Sequence, residues 1–180
     1  MPYIDVQDVP GIRALLTFRP ETAEPLSALA NALLHAPNSL TQWERELIAA
    51  FVSSLNGCTF CFRSHAAIAA WHLGDEARVD QAVAEPEQAQ VSPKMRSLLA
   101  LAARVQQGGR AVTPAEIERA REEGASDVEI HDTVLIAAAF CMFNRYVDGL
   151  GAWTPTDPAA YRDRAALTAQ HGYGMSTPRK

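Results

Sequence analysis

Three times along this chain a hydroxyl residue is followed three places later by glutamate: Thr41 with Glu44, Thr113 with Glu116, and Ser126 with Glu129. Such a pair forms a capping box, in which each side chain satisfies a backbone N–H of the other at a helix start. Each one here opens a segment with apolar residues at helical spacing. The first segment carries Trp43, Leu47, Ile48, Phe51, Val52 and Leu55 until Asn56 and Gly57 interrupt it; the second closes at Gly124; the third runs from about Asp127 to Asp148 and is apolar from Leu135 to Phe140. Further helices are expected near Glu24 to Ala36, from Cys58 through Trp71 to a stop at Gly74, and from Ser92-Pro93 to Gly108-Gly109. β-Branched and aromatic residues nowhere alternate over a strand-length window, so the chain is expected to be all-α.

The expected organisation is an N-terminal arm over residues 1–24, a helical domain over 25–151, and a tail over 152–180. The domain divides into a first unit at about 40–75, which holds the candidate site, and a second at about 93–150. Leu47-Ile48-Ala49-Ala50 returns as Leu135-Ile136-Ala137-Ala138, a weak echo that two related helical units would explain. The tail, with Trp153, Tyr161 and Tyr173, is expected either to pack on a neighbouring subunit or to be loose.

A length of 180 residues suffices for a sizeable core, and the net charge of −5 comes from acidic residues spread along the chain. No Lys/Arg cluster follows one face, which argues against nucleic acid as a partner. The longest apolar stretch, Leu135 to Phe143, is too short to span a bilayer, and no basic segment followed by an apolar run precedes it at the N-terminus. The expected location is the cytoplasm.

The three cysteines are too few for a stapling framework, and two of them, Cys58 and Cys61, stand three apart. On a helix, Cys61 and His65 lie one turn apart, and Cys58 is displaced from His65 by only ~20° around the axis. The Asn56-Gly57 break puts both cysteines in the first turn, where free N–H groups and the helix dipole favour an anion, so a thiol with depressed pKa is expected. His65 adds a base, and Glu46 on the preceding helix is placed to orient it. A thiolate, a proton relay and a second thiol are what peroxide reduction requires. Two other readings stay open: a zinc site built from the cysteines, His65 and Glu46, and a pair of inert buried cysteines. Haem attachment would need histidine where Phe62 stands. Cys141 reads as core, Trp43 and Trp71 as core or interface aromatics, and Asn144, Arg145 and Asp148 as polar residues with an Arg145–Asp148 or subunit-interface ion pair.

Eleven residues separate Glu46 from Cys58, two separate Cys58 from Cys61, and three separate Cys61 from His65. This pattern resembles the core motif of the alkylhydroperoxidase AhpD-like branch of the carboxymuconolactone decarboxylase superfamily. Thr113-Pro114-Ala115-Glu116, Gly124, Ser126 to Ile130, Asn144-Arg145 and Asp148-Gly149-Leu150 resemble its peroxidase-related members, so the likeness spans roughly Pro25 to Gly151. The resemblance implies an AhpD-like helical fold of two related units, a homo-oligomer (dimer, trimer or hexamer) and thiol-dependent peroxidase activity on a hydroperoxide, with no cofactor and no metal. It also implies roles: Cys61 as the peroxidatic sulfur, Cys58 as proton donor and resolving thiol, His65 and Glu46 as the relay, and a thiol or lipoyl-type protein as reductant. Where relatives commonly carry a second histidine, directly before the peroxidatic cysteine, this chain has Phe60. That departure points to a shorter relay, a weaker activity or another substrate. The alternative from a different class is a non-peroxidase helical oligomer whose cysteines bind zinc or act as a redox switch.

Overall fold

The computed structural model describes residues 2–174; Met1 and residues 175–180 of the expected tail lie outside the described residues. Nine α-helices and no strand occur among the described residues: α1 (Ile12–Phe18), α2 (Pro20–Ala30), α3 (Gln42–Leu55), α4 (Thr59–Leu73), α5 (Glu76–Ala84), α6 (Pro93–Gln107), α7 (Pro114–Glu122), α8 (Asp127–Gly149) and α9 (Pro158–His171). All three capping boxes form, at Thr41, Thr113 and Ser126. Pro93 and Pro114 sit in the first turns of α6 and α7, where a missing N–H costs no helical bond. α4 ends at Gly74, whose φ of 74° is the left-handed conformation that a Cβ disfavours.

At the centre, α3 packs against α4, α6 and α8. Leu47, Ile48, Ala49, Ala50 and Val52 of α3 are fully buried, as are Ile136 and Ala137 of α8 and Leu98, Leu99, Leu101 and Ala102 of α6. The two Leu-Ile-Ala-Ala segments therefore feed one core from neighbouring helices, the first with all four residues and the second with Ile136 and Ala137. Burial of a single Leu or Ile side chain contributes about 1.5–3 kcal/mol, so this cluster holds α3 firmly against α6 and α8.

Three sequence expectations change. The N-terminal arm contains α1 and nearly half of α2, which starts at Pro20 rather than Glu24 and passes at Asn31–His35 into a wider π-type turn. α1 gave no polar start signal because its N-cap is Gly11, with no side chain to cap. Between α4 and α6 an unexpected helix, α5, is capped by Asp75 and buries Val79, Ala82 and Val83. In the described part of the tail, α9 packs along α4 of its own chain, with Ala165 and Ala169 against Ile68. No helix among the described residues is long and apolar enough to cross a membrane.

Candidate active site

The turn Asn56-Gly57 reverses the chain between α3 and α4, so the two helices run as a hairpin with the candidate residues facing each other across it. Gly57 takes φ 74°, and Cys58, at the N-cap of α4, donates its N–H to the Ser53 carbonyl at 3.0 Å. Cys58 is 0% and Cys61 4% exposed, and both are thiols. They pack with Val147 of α8 under Ile12, Phe60 and Ala152. Phe60 lies against Gly11 so closely that a Cβ there would sit 2.1 Å from its ring. Gly11 also has φ 58°, so both space and backbone require glycine at this point.

On the α3 side, Glu46 is buried and its Oε2 lies 2.7 Å from Nδ1 of His65. The other carboxylate oxygen, Oε1, accepts a short hydrogen bond from the Tyr173 hydroxyl. With Glu46 as a carboxylate that accepts at both oxygens, the arrangement fits the tautomer with the proton on His65 Nδ1, in which Nε2 is the acceptor nitrogen. The imidazole is fixed by Phe140, edge-on at 4.5 Å between centroids, and by Tyr173, stacked at 5.9 Å and 19°. Tyr173 is held in turn by its backbone N–H, which donates to Oδ1 of Asn31 at 2.7 Å. Burial, followed by the charge of Glu46, raises the Tyr173 phenol well above its ordinary range.

The sequence led us to expect a thiol pKa depressed by the helix start; the structure reverses this for Cys61. A hydrogen bond with Cys58, then burial, then the charge of Cys58 push the Cys61 thiol well above its usual range. The helix dipole is outweighed here by the neighbouring Cys58 and, after it, by the burial of the site. Asn144 of α8 works in the opposite direction through a hydrogen bond to Cys61. It belongs to a chain of amides: Gln106 donates to Asn56 Oδ1 at 3.0 Å, Asn56 donates to Asn144 Oδ1 at 2.8 Å, and Asn144 donates to Ser53 Oγ at 3.0 Å. The Asn56 and Asn144 carbonyls are thereby occupied, and the Asn144 amide N–H₂ is turned toward Ser53 and Cys61.

The zinc alternative would bring Glu46 and His65 together with the cysteines as ligands. Both Glu46 oxygens and His65 Nδ1 are instead engaged with one another and with Tyr173. Among the described residues no group of three or more His, Cys, Asp or Glu side chains is placed to hold a metal ion.

The carboxymuconolactone decarboxylase family model matches residues 20–87 and, a second time, residues 76–155. The chain belongs to that family. The double match fits two related helical units, the first centred on the α3–α4 hairpin. Among solved structures, this family member is similar to an uncharacterized peroxidase-related protein with an alkylhydroperoxidase AhpD core from Ralstonia eutropha, at 28% identity and a TM-score of 0.78, over 86% of this chain and 82% of that one. It is similar also to an uncharacterized peroxidase-related protein from a Silicibacter species, at 27% identity and a TM-score of 0.77, over 86% and 79% of the two chains. A protein of unknown function from Agrobacterium tumefaciens, 22% identical with a TM-score of 0.71 over 87% of this chain and 100% of that one, shares the fold. No curated protein is significantly similar to the chain.

Other expected residues fall as follows. Cys141 is half-buried against the core, 3.6 Å from Asn56 Nδ2. Trp43 is half-buried, whereas Trp71 is exposed. Arg145 donates to the Cys141 carbonyl at 2.7 Å and not to Asp148. Sequence reading missed the link of Tyr173 to Glu46 and that of Asn144 to Cys61. No spacing signal could reveal the first, because 127 positions separate its partners.

Proposed function

We propose that this family member is a thiol-dependent peroxidase that reduces a hydroperoxide through Cys58 and Cys61, with His65 and Glu46 as its proton relay. The observation that carries the proposal is the hydrogen bond from His65 Nδ1 to Glu46. It fits Nε2 as a base one helical turn from Cys61, on the helix whose start holds two hydrogen-bonded thiols. In the proposed sequence His65 receives a thiol proton, and the Cys61 thiolate attacks the terminal oxygen of ROOH. The O–O bond breaks, Cys61 becomes a sulfenic acid, and the departing RO⁻ takes up a proton to leave as alcohol. Cys58 then attacks the Cys61 sulfur; an S–S bond forms and water leaves. Two electrons pass from the thiols to the peroxide, and an external dithiol, from a thiol or lipoyl-type protein in the cytoplasm, returns them by disulfide exchange.

The similarity to peroxidase-related proteins supports this reading, as does the presence of the cysteine pair in the first helical unit. Phe60 supplies an apolar cover in place of a second histidine, so all proton traffic is assigned to the single His65–Glu46 path. The test is a sulfenate trap. With one equivalent of hydroperoxide, Cys58→Ser is expected to give a dimedone adduct on Cys61, because no resolving thiol remains, while Cys61→Ser gives none. An adduct on Cys58 in Cys61→Ser, or equal peroxide turnover by the two variants, would contradict the assignment.

A further inference from the structure

Among the described residues Glu46 has two hydrogen-bond partners: His65 of α4 and the hydroxyl of Tyr173, which arrives from beyond α9. The delivery of that hydroxyl is specified at three places. Ala165 and Ala169 seat α9 on Ile68 of α4, with Tyr173 packed against the same cluster. Gly172 then ends α9: its N–H donates to the Thr168 carbonyl at 2.7 Å, its φ is 75°, and a Cβ there would collide with Oδ1 of Asn31. The same Oδ1 accepts the Tyr173 N–H at 2.7 Å, which ties the backbone next to the ring to the start of the π-type turn. The ring itself is stacked on the imidazole of His65.

Two proton arrangements fit a buried glutamate bonded to a histidine. In the first, Glu46 is a carboxylate that accepts from His65 Nδ1–H, and Nε2 is free. In the second the pair has taken up one more proton: the carboxylic acid donates to Nδ1, and Nε2 carries a hydrogen. We infer that Tyr173 is a positioning residue whose hydroxyl selects the first arrangement, so that the segment after α9, and not the α3–α4 hairpin alone, keeps Nε2 of His65 available as a base. Two features of the geometry carry this. A hydrogen bond to a carboxylate is roughly twice as strong as one to a neutral carboxyl oxygen, so a donor on Oε1 favours the ionised form. The hydroxyl also has a single proton. With that proton directed to Glu46, its oxygen presents a lone pair to Nδ1 at 3.4 Å, where an N–H is favourable and a bare nitrogen is not. The phenol keeps its proton throughout, because burial and the charge of Glu46 raise it. The other ionisable groups near the pair are occupied. Arg45 of α3 donates to the Leu33 carbonyl at 2.9 Å, His35 of the π-type turn bonds Gln42 at 3.1 Å, and Asp132 of α8 is held by Asn38 and His131. Burial keeps His72 of α4 toward its neutral form.

Tyr173→Phe removes the hydroxyl and keeps the stacked ring and the N–H bond to Asn31, so helical circular dichroism should match wild type. In full-length protein carrying nitrogen-labelled histidine, the imidazole signals of His65, identified by their loss in His65→Gln, report by magnetic resonance whether Nε2 carries a proton. At neutral pH and without peroxide, wild type is expected to hold Nε2 mainly free. In Tyr173→Phe the ratio of protonated to free Nε2 is expected to rise about tenfold, the usual effect of one hydrogen bond to a charged group. An unchanged ratio, or a wild type with Nε2 mainly protonated, would overturn the inference; a tyrosine that serves packing alone leaves the proton where it is. The consequence for catalysis rests on the peroxidase reading and is measured separately, as peroxide turnover that falls in proportion to the loss of free Nε2 while KM changes little. A tenfold change in the ratio with turnover still at the wild-type level would uphold Tyr173 as the group that sets the proton and would remove His65 from the peroxidase relay.

Discussion

Replacing Glu46 by Gln is expected to lower peroxide turnover by about 10²-fold or more, the usual contribution of one positioned acid–base group. The reason is a count of acceptors. The Glu46 carboxylate receives His65 Nδ1 at one oxygen and the Tyr173 hydroxyl at the other. A glutamine has one acceptor oxygen and an N–H₂ in place of the second, so one of the two buried donors would face another donor. The imidazole can escape by moving its proton to Nε2, and this removes the base at the nitrogen that the proposed mechanism uses. Leaving a buried donor unpaired also costs about 1–3 kcal/mol of stability. Turnover and thermal midpoint should therefore both fall, with the substrate KM changing little because no substrate contact is assigned to Glu46. Stopped-flow peroxide consumption together with a thermal melt checks both. A Glu46→Gln variant with wild-type kcat would remove Glu46 from the relay.

The second large effect is one of pH. The Cys61 thiol is raised by its bond to Cys58 and by burial, so the fold favours the protonated form. The contribution of that preference to stability is complete below the ordinary thiol pKa of about 8.5 and is lost as pH rises above it. Reactivity moves in the opposite direction: thiol oxidation by a hydroperoxide should accelerate continuously above about pH 8.5, because the thiolate is the nucleophile. Asn144 opposes the rise, since its amide bonds to Cys61. Asn144→Leu should slow Cys61 oxidation at neutral pH on the order of tenfold, the value of one hydrogen bond to a charged group, and move the profile further to alkaline pH. Stopped-flow rates of thiol loss for wild type and Asn144→Leu across this range measure it. A wild-type profile that levels off below pH 7 would show instead that the thiol is depressed in the folded protein.

The helical core was legible because its signals are local. Thr41, Thr113 and Ser126 announce helix starts within four residues, and Gly74 and Gly124 end helices where a left-handed residue is needed. Glu46 and His65 could be paired from sequence because one hairpin turn joins their helices. What stayed hidden depends on distant contacts. α1 begins at a glycine without a polar cap, and that glycine is required by a ring 49 positions away, Phe60. Tyr173 reaches Glu46 only because α9 docks on α4. The electrostatics of Cys61 were misjudged because the helix dipole is visible in the sequence, whereas the hydrogen bond that Cys61 forms with Cys58 and the cover of Ile12, Phe60 and Ala152 are not.

The central claim is that Cys58 and Cys61 act together as a redox dithiol toward hydroperoxide. It is tested most directly by titrating thiols in the denatured protein before and after one equivalent of cumene hydroperoxide. The account predicts the loss of two thiols per chain, both restored by dithiothreitol and neither lost in Cys61→Ser. An unchanged count of three thiols in the wild type would contradict it.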